Sequence, residues 1–150
     1  MYIWNLKGLV QALKEGSLSS KSQRLHKAIG ISLFAFALLA YPLSFMTEPS
    51  NTLDIVDMFS YLVINLVGIY KAYTINQRGE GKEFWFRYFS LYVPLTIRFI
   101  VLVSVIMIVG YTVLPFISLD ETNWFDVIIT VGTEIYFNIL MVKSIKIINE

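Results

Sequence analysis

Four long apolar runs dominate the chain: Ala28 to Met46, Ile55 to Tyr73, Phe89 to about Ile117, and Trp124 to Val142. The first, second and fourth hold 19 residues each, which as helix measures roughly 28 Å, close to the hydrocarbon thickness of a bilayer. With 56% apolar and 15% charged residues and a mean hydropathy of +0.63, the chain departs on both axes from globular domains, which carry about 45 to 50% and about 25%. Lipid is the solvent this pattern implies. The expected fold is all-α: an integral membrane four-helix bundle with spans at about 28–46, 55–73, 89–114 and 124–142, forming one domain over residues 17–150, with residues 1–16 as an N-terminal interfacial amphipathic helix.

Local signals support these divisions. Ser20 followed by Gln23 forms a capping-box pattern ahead of the first span, and Asn51 or Thr52 and Thr122 or Asn123 can cap the second and fourth. The third run contains Pro94 and Gly110 and ends near Pro115, so a tilt or kink is expected there. The first run is expected to stay as an anchor, since no small-residue cleavage pattern stands near "AYPLSFM". No internal repeat or inverted symmetry is apparent. Small-residue pairs, Ala28 with Ser32 and Ala40 with Ser44, permit close helix contacts.

Charge sets the expected orientation. Lys7, Lys14, Lys21, Arg24 and Lys27 precede the first span, Lys71, Arg78, Lys82 and Arg87 flank the middle link, and Lys143 and Lys146 follow the last span. The other two links carry Glu48, Asp54, Asp57, Asp120, Glu121 and Asp126 with no Lys or Arg. The positive-inside rule then puts both termini and the middle link in the cytoplasm, with Tyr73, Trp85 and Trp124 at the interfaces.

Arg98 is the one cation outside the basic set, and Glu134 is its counterpart. Each lies nine residues from the basic edge of its span, or about 13 to 14 Å deep. A lone charge there costs about 2.5 to 3.5 kcal/mol on insertion scales, so an ion pair between Arg98 and Glu134, facing the bundle interior, is expected. Thr130, Glu134 and Asn138 are spaced by four on one helical face continued by Met141, and Asp57, Tyr61 and Asn65 share a face of the second span. These residues could be interhelical hydrogen-bonding glue, each worth roughly 0.6 to 2 kcal/mol. They could also line an ion path, or a ligand or lipid pocket.

On the cytoplasmic side, Tyr2, Ile3, Leu6, Leu9, Val10 and Leu13 form an apolar stripe, with Lys7, Lys14 and Glu15 elsewhere. Trp4 suits a helix lying in the inner interface, and docking on a partner or on the bundle is the alternative, with "GSLSS" as hinge. The middle link, with Gly79 and Gly81 for a reversal, is either a solvated connector or a docking site for a cytosolic protein or anionic headgroups. Trp4, Lys7, Arg78, Lys82, Glu83, Trp85 and Arg87 are the candidate docking residues. His26 is expected to be solvated or at headgroup level.

Parts for catalysis are missing. There is no cysteine and one histidine, which excludes thiol chemistry and bis-histidine haem ligation. "GEGKE" lacks P-loop spacing and a following Ser or Thr. No catalytic residue, cofactor, metal site or nucleic-acid partner is expected; the expected partners are membrane lipids, further copies of the chain and a cytosolic protein.

The layout and the segment "NQRGEGKEFWFRYFSLYVPLTIR" resemble small four-span bacterial inner-membrane proteins, among them the membrane subunits of Kiwa anti-phage systems. That resemblance implies a homo-oligomeric, non-catalytic membrane sensor or scaffold that binds a cytosolic effector at its inner face. An oligomeric ion or proton channel lined by Arg98 and Glu134 is the competing expectation. Immunity proteins against pore-forming toxins share the size and span number and give a third.

Overall fold

A computed structural model describes residues 2, 4–44, 51–79, 81, 83–114 and 120–150, with the side chains of 41–44 left out. Five helices follow one another: α1 (Leu6–Lys14), α2 (Ser20–Ser44), α3 (Thr52–Arg78), α4 (Phe84–Val113) and α5 (Trp124–Asn149). Three of them, α3, α4 and α5, are long and apolar enough to cross a bilayer. Along their middles, large apolar side chains such as Phe59, Leu66, Ile108 and Ile139 are more than half exposed, as expected where lipid covers the surface. The remaining expected span, 28–46, falls on α2; Phe45, Met46, the acidic Glu48 and residues 115–117 lie outside the described residues.

Helix starts are set by short polar side chains. Asn51 Oδ1 accepts from the backbone of Leu53 and Asp54, and Asp54 Oδ2 accepts from Asn51 N at 2.8 Å. Asn123 and Asp126 repeat this reciprocal cap at the start of α5. For α2 the cap sits one residue earlier than expected: Ser19 Oγ, not Ser20, accepts from Ser22 N at 3.3 Å, while the Gln23 amide donates to Leu18 O. α4 runs unbroken through Pro94.

The helices do not pack in sequence order. α2 packs along α4, α4 along α5, and α5 along α3, with α2 and α3 in at most marginal contact among the described residues. Because chain direction alternates, α2 and α4 run parallel, and so do α3 and α5. Two glycines permit the close approaches. A Cβ on Gly30 would lie 2.3 Å from the Phe89 carbonyl oxygen, and one on Gly68 would lie 1.7 Å from Asn138 Oδ1. Edge-on aromatic contacts fill the middle, with Phe34 against Tyr92 at 5.6 Å and Tyr92 against Phe137 at 5.5 Å.

α1 settles on the bundle. Its Leu9, Val10, Ala12 and Leu13 are buried against α4 and α5, and Lys7, Gln11 and Lys14 stay exposed. The Arg98 guanidinium donates to Trp4 O just before α1, while Leu13 and Gly16, at its far end, line a pocket with Phe86 and Arg87. α1 therefore runs lengthwise beside α4, over the stretch from Arg98 back to Arg87, rather than flat across the bundle's end. Surrounded by α1, α2 and α5, this half of α4 is buried on all sides from Ser90 to Leu95.

His26 departs from expectation as well. It is 0% exposed, with Nδ1 2.8 Å from Ser22 O and Nε2 buried without a partner. It stands one turn before Gly30, on the face that α2 turns toward α4, so packing rather than headgroup solvation sets its environment.

Candidate functional site

A polar seam joins α3 to α5 along most of their length. Parallel helices in register keep a near-constant offset in residue number, and each rung here joins residues 68 to 73 apart. At the acidic end the Asn51 amide donates to Thr122 O at 3.0 Å, the Thr122 hydroxyl to Asp54, and the Thr130 hydroxyl to Asp57. At mid-length Asn65 Nδ2 donates to Glu134 Oε2 at 2.9 Å, and Asn138 Nδ2 to Asn65 Oδ1 at 3.3 Å. Toward the basic end, Asn149 Nδ2 reaches Asn76 Oδ1 at 3.4 Å, and Arg87 donates to both, at 3.3 Å to Asn76 and 2.9 Å to Asn149. In a low-dielectric surrounding, each such bond removes the cost of an unsatisfied polar group.

The expected Arg98 to Glu134 ion pair is not formed. Glu134 meets Asn65, whereas Arg98 meets the Trp4 carbonyl. Depth alone suggested the pair, but azimuth decides it. Thr96 and Phe99 face the same cavity as Glu134, and at about 100° per residue Arg98 stands about 200° around α4 from Thr96. Of the expected intramembrane cluster, Thr130, Asn65, Glu134 and Asn138 come together on the seam, and Arg98 stands apart.

The cavity, about 420 Å³, lies between the four long helices. Ala37 of α2, Asn65 of α3, Tyr92 and Phe99 of α4, and Glu134 and Phe137 of α5 are on its wall. No Lys, Arg or His is among the described residues lining it. Two of its walls, α2 and α3, barely touch each other among the described residues, so the cavity opens sideways between them.

At the basic end the expected docking residues separate into groups. Arg78, Glu83 and Trp85 are exposed there, whereas Trp4 and Lys7, also exposed, stand at the start of α1 toward Arg98, at its far end from the others. Lys82 lies outside the described residues. Arg87 is a correction: it is 7% exposed and bonded within the seam, because its side chain reaches from the start of α4 to where the asparagines of α3 and α5 converge.

Asn76, Asn149 and Gly68 were not singled out from the sequence. A signal was present: Asn65 and Asn76 are 11 apart, as are Asn138 and Asn149, about three helical turns and hence one face. The Asn-x-x-Asp caps at 51–54 and 123–126 lie 72 residues apart, close to the 73 that separate Asn65 from Asn138 and Asn76 from Asn149. Comparison of the chain with protein-family models, curated proteins and solved structures finds no match.

Proposed function

We propose that the protein is a non-catalytic integral membrane subunit that assembles with itself and docks or regulates a cytosolic partner, as a sensor or scaffold in bacterial anti-phage defence. In this reading α2, with 25 residues, is the fourth crossing of the inner membrane, and both termini lie in the cytoplasm. The segregation of eleven Lys and Arg from the acidic links supports that orientation. Ala28 and Ser32, both exposed on α2, offer a small-residue contact for a second copy.

One observation carries the docking role: a groove of about 430 Å³ at the basic end, bordered by Lys27, Tyr73, Gln77, Glu83 and Trp85. Its Tyr73 and Trp85 are of the residue types that concentrate binding energy at protein interfaces, and Lys27 and Glu83 supply a charged rim. A photo-crosslinking amino acid at Trp85, introduced in the native host, is expected to capture one soluble polypeptide. The same label at Val101, on the lipid-facing part of α4, should capture none. Absence of a protein adduct at Trp85, or equal capture at both positions, would remove the docking role.

A second reading, an oligomeric ion or proton path, is favoured by the placement of Glu134, Asn65 and Asn138 at mid-length. Arg98 is no part of that route. Flux through reconstituted liposomes that disappears in Glu134→Gln would establish conduction, and tight vesicles under a proton or potassium gradient would exclude it.

A further inference from the structure

We propose that the cavity between α2, α3, α4 and α5 is a binding site for a lipophilic organic cation that enters from the membrane between α2 and α3. The occupant follows from what surrounds Glu134. Its carboxyl group accepts one hydrogen bond from the Asn65 amide, no cationic side chain among the described residues lines the cavity, and Arg98 is committed to Trp4 O. A bound cation would supply the charge complement that the described residues lining the cavity lack.

The wall chooses among cations. A bare metal ion needs several oxygens in place of its hydration shell, and no cluster of three or more His, Cys, Asp or Glu able to hold one stands among the described residues. The rest of the wall is largely aromatic and aliphatic, and includes Tyr92, Phe99, Phe137 and Ala37. Ring faces attract a diffuse positive charge, and apolar substituents around that charge fit the remaining surface. At about 420 Å³ the space is within the range of pockets for drug-sized ligands, about 300 to 1,000 Å³. The lateral opening suits a molecule already dissolved in lipid. This site stands whether or not a cytosolic partner docks at the basic end.

Equilibrium dialysis of radiolabelled methyltriphenylphosphonium against the full chain in dodecylmaltoside tests the proposal, with thermal melts followed by circular dichroism as a folding control. The chain is expected to bind the cation saturably, and neutral triphenylphosphine oxide at equal concentration should not displace it. Glu134→Gln keeps an acceptor for Asn65 and removes the charge, so it should weaken binding by at least ~30-fold, the loss expected on removing one partner of a buried charge pair. Ala37→Phe fills the cavity from α2 and leaves Glu134 in place, and should likewise abolish binding, which keeps the proposal open to refutation if Glu134→Gln does not fold. Non-saturable uptake by the unmodified chain, unchanged affinity in a folded Glu134→Gln, unchanged affinity in Ala37→Phe, or full displacement by the neutral oxide would each overturn it.

Discussion

Replacing Gly68 with alanine probes the approach on which the α3 and α5 seam depends. The new Cβ would lie 1.7 Å from Asn138 Oδ1, 2.3 Å from its Cγ and 2.9 Å from its Cβ. Rotating the Asn138 carboxamide away relieves the first two contacts but breaks its bonds to Asn65 Oδ1 and Glu134 O, at 3.3 and 2.9 Å. The third contact remains and must push the helices apart. Overpacking costs about 1 to 3 kcal/mol and the lost interhelical bond roughly 0.6 to 1.7, while alanine returns about 0.8 to 1 through helix propensity. The net destabilisation is ~1 to 4 kcal/mol. Because Asn138 is the obstacle, Asn138→Ala should make Gly68→Ala cheaper, with a coupling of about 1 kcal/mol or more in a double-mutant cycle. Unfolding by sodium dodecyl sulfate added to dodecylmaltoside micelles, followed by far-ultraviolet circular dichroism, reads each stability. Additivity within about 0.5 kcal/mol, or a stabilised Gly68→Ala, would refute the close approach.

Exchanging charges, Arg98→Glu with Glu134→Arg, should not restore expression lost in either single variant, since the two side chains meet different partners; recovery measured in membrane fractions would contradict the placement of Arg98. Cysteines replacing Gly79 and Asn149 should oxidise to an intramolecular disulfide, visible as a gel shift reversed by reductant: a Cβ at Gly79 would lie 2.6 Å from that of Asn149, so a separation of about 1 Å at these two helix ends reaches the roughly 3.8 Å a disulfide takes, and the chain has no native cysteine. Asn51→Ala and Asn123→Ala should each lower stability in the same detergent titration by about 0.5 to 2 kcal/mol, the usual cost of an N-cap. Glu83 is left-handed at φ 46° with no side-chain cap bond, so Glu83→Gly should be neutral or stabilising by up to ~1 kcal/mol.

The membrane character and most helix starts were legible in the chain because their causes are local. Runs such as 55–73 and 124–142 must be shielded from water wherever they lie, and Asn51 and Asn123 cap the residues that follow them directly. The candidate site was half legible. Thr130, Glu134 and Asn138 share one face by spacing alone, and Asn65 matches their depth.

The tertiary structure alone decided which faces meet. In water an apolar stripe marks the buried side of a helix, but in lipid both sides are apolar and the stripe carries no such direction. Hydropathy could therefore place Arg98 and Glu134 at one level without revealing that they point apart. Neither could it show that α3 pairs with α5 rather than α2, or that α1 lies against α4 and α5. Close approach at Gly30 and Gly68, together with paired asparagines across the seam, settles those choices, because contact distance and hydrogen bonding are the forces left once lipid has removed the hydrophobic one.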